Sequence, residues 1–195
     1  FPFMLLRFSV ENFLSFKDSV HINFQAGTIK EYKENIINNE INRSTPLLKC
    51  VGLFGKNASG KSNIIKAISF MSDFVINSSK ESNSSESINI RPFLLSTESE
   101  AKPSTFEIIF FLDGEKYRYG FSVTEKYVLS EWLFLVSKSK EEKVFIRANQ
   151  DYTFEKNFKS DIKGKLELFT EITRPNSLFI SVLSQFNSSI GKRVT

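Results

Sequence analysis

The segment Gly55-Lys56-Asn57-Ala58-Ser59-Gly60-Lys61-Ser62 constrains this chain more than any other, because it is a full match to G-x-x-x-x-G-K-[ST]. A chance match somewhere in such a chain has a probability on the order of 1%. The flanks sharpen the signal. LLKCVGLF, a nearly continuous apolar run from Leu47 to Phe54, predicts a short buried central strand entering the loop. Beyond it Ile64, Ile65, Ala67, Ile68, Met71, Phe74 and Val75 recur at spacings of three and four, which predicts an amphipathic helix.

Strand, glycine loop and helix in that order make a phosphate cradle. The first turn of a helix leaves its N–H groups unpaired, and the aligned peptide dipoles place about half a positive charge there. Gly55 and Gly60 let the chain curl so that successive amides point inward. Lys61 adds a cation for the β and γ phosphates, and Ser62 offers a hydroxyl to Mg2+. The predicted contacts of ATP are therefore Gly55, Lys56, Asn57, Ala58, Ser59, Gly60, Lys61, Ser62 and Asn63. Hydrolysis needs more, namely a carboxylate ending a neighbouring apolar strand and a group that orients water. IIFFLDGE supplies one candidate, Asp113. It reads either as that carboxylate or as the tip of an Asp113-Gly114 hairpin, and the alternation that resumes in YRYGF favours the hairpin.

The rest of the chain predicts a mixed α/β domain. Phe1, Pro2 and Phe3 precede Met4, the first candidate initiator, and are read as a remnant foreign to the fold. From Leu5 to Phe24 two alternating runs predict an antiparallel pair joined by a turn around Leu14 to Asp18. A polar stretch follows from Lys30 to Thr45. Residues 4–75 thus hold strands, phosphate loop and helix, residues 76–104 a mobile loop, residues 105–157 a β-meander, and residues 158–195 a helical segment. NSSKESNSSES at 77–87 has no apolar residue to bury and reads as surface loop. The chain from Lys163 to Thr173 reads as helix, broken at Arg174-Pro175; NSLFISVLSQFN suits strand and helix equally.

Composition excludes some classes. No apolar run approaches the roughly 18 to 20 residues that span a bilayer, the single Cys50 cannot form an internal disulfide, and the start has no basic leader, so a cytoplasmic chain is expected. Basic residues are interleaved with acids, as in KSKEEK at 138–143, which reads as a solvated face; DNA is retained only as a candidate partner. The 21 phenylalanines exceed any role in base stacking and must mostly be core.

LLRFSVENFLSF at the start, followed by GKNASGKS, resembles the ATPase head of the ABC class that includes RecF and the SMC proteins. PFLL (92–95), PSTFEIIF (103–110), YRYGF (117–121), EWL (131–133), FIR (145–147) and NSLFISVLSQFN (176–187) resemble, more narrowly, the AAA-like, ABC-type ATPases of bacterial phage-defence and abortive-infection systems. The likeness spans nearly all of residues 4–187 and is specific mainly at the phosphate loop. It implies an antiparallel β-subdomain beside the P-loop unit, and a head that dimerises with nucleotide between subunits. Lys61 and Ser62 keep the roles above, and Gln185 becomes the Q-loop glutamine, a catalytic residue reaching Mg2+ and the attacking water. Asn12 to Phe16 corresponds to the stretch that approaches the base, with Leu14 where a basic residue is common. No Ser-Gly-rich signature, Walker B acid pair or switch histidine follows, and His21 lies in a predicted first strand. The resemblance therefore implies an N-terminal lobe that needs a C-terminal lobe, forms a homodimer when complete, and works with a nuclease effector. A nucleotide-binding module without turnover is the alternative, and a small P-loop kinase a weaker one, since such kinases alternate strand and helix.

Overall fold

The computed structural model describes residues 3–28, 31–37, 45–81, 83, 86–137, 140–155, 158, 164–188 and 190–191. Parts of the segments read above, at 1–2, 29–30, 38–44, 82, 84–85, 138–139, 156–157, 159–163, 189 and 192–195, lie outside these. The architecture is mixed α/β. A seven-stranded sheet, antiparallel throughout, runs in the order β2-β1-β5-β6-β7-β8-β9. Its strands are β1 (Met4–Glu11), β2 (Val20–Asn23), β5 (Ser104–Leu112), β6 (Glu115–Val123), β7 (Val128–Ser137), β8 (Lys140–Ala148) and β9 (Asp151–Phe154). A small ladder, β3 (Ile36–Ile37) and β4 (Leu47–Leu48), lies beside Phe24–Ala26. Among the described residues the α-helices whose bounds are seen at both ends are α1 (Lys61–Glu81), α2 (Thr97–Glu100), α3 (Leu166–Ile172) and α4 (Phe179–Gln185). An antiparallel sheet of this size does not fit the alternating strand and helix of a small kinase.

Period-two alternation fixes the inner face. Phe8, Phe106, Phe110, Tyr119, Phe121, Leu133 and Phe145 are buried together, and α1 lies on them through Ile64, Ala67, Met71 and Val75. Rings fill the gap: Phe70 stands 5.0 Å from Phe106, and Phe74 5.5 Å from Phe121. This is where most of the phenylalanine goes. Asp113 and Gly114 close a two-residue turn between the paired Leu112 and Glu115, both at positive φ (48° and 88°), so Asp113 is the hairpin tip.

Three segments differ from their sequence reading. The central strand expected over 47–54 forms only at Leu47–Leu48; residues 51–54 have no ladder partner among the described residues, and Phe54 is 95% exposed. A buried strand needs neighbours on both edges to pair its backbone and cover its side chains, and no described strand flanks this run. The loop expected from residue 76 is helix as far as Glu81. Ser78 Oγ accepts the Leu178 N–H, and Ser181 Oγ accepts the Ser79 N–H and donates to Ser79 Oγ; polar residues hold this helix end against α4. Further on, Asn176 binds the carbonyls of Asn83 and Glu86, so the described part of 83–87 is tied to the core.

The ambiguous NSLFISVLSQFN is helical because both ends are capped. Asn187, at φ 60°, sends its N–H to Ser184 O, and Ser188 N–H reaches Leu183 O, the paired bonds of a Schellman motif. At the other end the Phe179 and Ile180 N–H groups donate to the carboxylate of Glu131, at 2.7 and 3.0 Å.

Candidate functional site: the phosphate loop

Residues 49–60 lead into α1 without regular structure. Ala58 (φ 62°) and Gly60 (φ 91°) take the left-handed turns that bend the loop, and Ser59 N–H closes it on Lys56 O at 3.2 Å. The helix starts at Lys61, with Asn63 and Ile64 donating to Gly60 O. The N–H groups of Gly60, Lys61 and Ser62 find no acceptor among the described residues. They are the orphan donors of a helix start, aimed where an anion would sit.

Lys61 is held inside its own loop, with Nζ donating to Gly55 O at 2.8 Å and Lys56 O at 2.7 Å and lying 3.4 Å from Ser59 Oγ. The cation is thereby positioned over the cradle. Lys56, Asn57, Ala58, Ser59 and Ser62 are exposed, so the loop is open to a ligand. Ser62 has the small hydroxyl that Mg2+ accepts alongside phosphate oxygens and waters.

The turn after β1 presses on this loop. Asn12 (φ 51°) and Leu14 (φ 50°) bend it, and Asn12 anchors it through the carbonyls of Ser99, Lys102 and Pro103 and the N–H of Phe93. Ser15 Oγ accepts Asn63 Nδ2 at 2.9 Å. A Cβ on Gly60 would stand 3.0 Å from the Phe16 ring and 3.1 Å from Ser15 Oγ. The stretch Asn12 to Phe16 therefore lies beside the phosphate loop, and the Asn63 amide is turned toward that wall.

Two residues stand apart. Asp113 is at the wrong end of the sheet: Glu11 pairs with Thr105 and Met4 with Phe111, which puts the hairpin roughly 25 Å from the Asn12 turn at about 3.3 Å per residue. Gln185 ends α4, exposed. Ser181 touches Ser79, about 27 Å along α1 from Lys61, while Gln185 lies only about 6 Å beyond Ser181. However α4 is inclined, about 12 Å or more separates the backbones of Gln185 and Lys61. The structure does not bring Gln185 to Ser62. His21 is exposed on the edge strand β2, paired with Ser9.

A buried network was invisible as function in the sequence words EWL and FIR. Glu131 and Arg147 face each other across β7 and β8, both 0% exposed, with Nη1 and Oε2 3.8 Å apart. Tyr119 donates to Glu131 Oε1, and Arg147 donates to the carbonyls of Asn149, Ser177 and Arg174. Burial pushes the Glu131 carboxyl up, opposed by Arg147, the two α4 N–H groups and Tyr119; burial likewise raises the Tyr119 phenol and takes Tyr152 to about 12. The network clamps the start of α4 to the meander.

An open glycine loop with unpaired amides and a lysine at the head of a long helix defines a P-loop nucleotide-binding domain. The model of the family described as "AAA domain, putative AbiEii toxin, Type IV TA system" matches residues 50–188, more than two thirds of the chain. The chain belongs to that family. No curated protein matches it. Among the described residues no helix is long and apolar enough to cross a membrane.

Proposed function

We propose that the chain is the ATP-binding lobe of an ABC/SMC-type ATPase head. ATP lies with its β and γ phosphates in the amides of residues 55–62, Lys61 neutralises them, and Ser62 holds Mg2+, which would shield phosphate charge and align the γ phosphate. The observation that carries this reading is the set of unpaired N–H groups at Gly60, Lys61 and Ser62 beside the fixed Lys61 Nζ. A partner lobe supplies the acids and signature loop, the complete head closes as a homodimer over nucleotide, and an effector of nuclease type acts in phage defence or DNA processing. The family description, with its toxin and Type IV system, supports that setting. Titration calorimetry with Mg-ATP tests the core of the proposal. Lys61→Ala should weaken binding at least about tenfold, as loss of a charge-assisted contact does, with the melting temperature almost unchanged. Equal affinity of wild type and variant refutes it.

A second reading, nucleotide binding without turnover by this chain, is favoured by the distances of Asp113 and Gln185 from the loop. Phosphate release separates the two: hydrolysis by this chain alone contradicts the second reading.

A further inference from the structure

Left-handed backbone at residues other than glycine gathers at the phosphate loop. Asn12 (φ 51°) and Leu14 (φ 50°) adopt it in the turn after β1, and Ala58 (φ 62°) adopts it in the loop itself. Asparagine tolerates this region, but leucine and alanine resist it, so Leu14 and Ala58 hold these angles only where surrounding contacts over-determine the chain. Strain of this kind collects at sites whose shape must be set before a ligand arrives.

The bonds that hold the turn converge on Asn12. Its side chain is 3% exposed and fully engaged. Nδ2 donates to Ser99 O and Lys102 O, each at 2.8 Å, and to Pro103 O at 3.3 Å, while Oδ1 accepts the Phe93 N–H at 3.0 Å. Asn12 O accepts the Ser104 hydroxyl, and the Leu14 N–H donates to Arg91 O at 2.9 Å. The turn is thereby fastened to the chain at 91–104, outside the phosphate loop. Its tip bears on the loop instead. Ser15 Oγ accepts Asn63 Nδ2 at 2.9 Å in the first turn of α1, and the Phe16 ring and Ser15 Oγ lie 3.0 and 3.1 Å from where a Gly60 Cβ would stand. A shift of the turn is therefore felt at Gly60, Lys61 and Ser62.

We propose that this turn is a strut that preorganises the phosphate loop, with Asn12 and Ser15 as positioning residues for the triphosphate. Asn12 fixes the turn, and Ser15, through Asn63, fixes the first turn of α1, so that the unpaired amides are aimed before nucleotide arrives. Neither residue touches the nucleotide in this role. A cradle held in its binding shape binds more tightly, because it needs no further ordering when the ligand enters. The proposal rests on the nucleotide reading and deepens it with residues outside the glycine-rich motif.

Titration calorimetry of the full chain with Mg-ATP and with Mg-tripolyphosphate, which lacks base and ribose, tests this. Ser15 is exposed, so Ser15→Ala should leave the melting temperature unchanged and weaken both ligands about threefold to tenfold. Ser15→Thr keeps the hydroxyl and should bind both as wild type does. Asn12→Asp keeps the shape but sets oxygen against three carbonyls, and should weaken both ligands at least about tenfold. It also destabilises the fold, so Glu131→Gln, which loosens α4 instead, serves as the control and should lower the melting temperature with affinity unchanged. Equal losses for the two ligands support action through the loop. A loss confined to Mg-ATP overturns the proposal, since it would set the turn against base or ribose. Wild-type affinity in Ser15→Ala, no rescue by Ser15→Thr, or equal weakening by Glu131→Gln overturns it as well. Lys61→Ala in the same assay separates the two failures: if it weakens binding while Ser15→Ala does not, the strut is refuted and the nucleotide reading stands.

Discussion

Replacing Glu131 by glutamine tests how the meander holds α4. The carboxylate accepts the Phe179 and Ile180 N–H groups and the Tyr119 hydroxyl, and faces Arg147, with both charged side chains fully buried. Glutamine keeps the shape and one oxygen, but it strands the guanidinium as an uncompensated buried charge and turns an NH2 toward groups that already donate. Breaking one side of such a pair costs about 3–5 kcal/mol, against a total of about 5–15 for a typical domain. At about 2–4 °C per kcal/mol the melting temperature should fall by roughly 10 °C. Arg147→Met should lose a similar amount, because it strands Glu131 and unpairs the carbonyls of Asn149, Arg174 and Ser177. Since each single change leaves the other charge alone, Glu131→Gln/Arg147→Met should cost less than the sum by about 2 kcal/mol. The assay is urea unfolding followed by Trp132 fluorescence. A Glu131→Gln loss within about 1 kcal/mol, or strict additivity in the cycle, refutes the clamp.

Gly60→Ala should destabilise the chain by about 1–3 kcal/mol, because φ is 91° and the new Cβ meets Phe16 and Ser15; ATP affinity measured by calorimetry should fall with it, and an unaltered affinity would show that the loop is not the site. Asp113→Ala should cost roughly 1–2 kcal/mol by thermal melting, since alanine takes the left-handed turn less readily. Its ATP binding should match wild type, and a weakened affinity would bring Asp113 back to the phosphates.

The apolar spacing of α1 and the Asp-Gly turn were legible because local periodicity and two backbone angles decide them. The strand at 51–54 was misread because apolar character alone cannot form a strand whose neighbours are missing. Ser78 and Ser79 hid the last turns of α1, since their partners Leu178 and Ser181 lie about 100 residues away. A usable signal did exist for the buried pair: Glu131 is two residues from Leu133, and Arg147 two from Phe145, so period two already places both charges on the buried face. Opposite charges on the core faces of adjacent strands point to each other.

The geometry separates affinity from turnover. Affinity depends on amides and one lysine within a single turn of α1. Turnover assisted by Gln185 would require α4 to leave Ser78, Ser79 and Glu131, breaking the contacts of Leu178, Ser181, Phe179 and Ile180. At about 0.5–1.5 kcal/mol for each neutral bond, and about 1.5–3 for each bond to a carboxylate, that rearrangement costs several kcal/mol. Nucleotide touching only the loop makes no contact that favours the displaced helix, so it cannot shift that equilibrium. In this chain alone Gln185→Ala should therefore leave both Mg-ATP affinity and the basal rate of phosphate release unchanged, measured by calorimetry and radiolabelled ATP. A loss in either would show that α4 reaches the loop in solution, against the separation that its bonds to α1 impose.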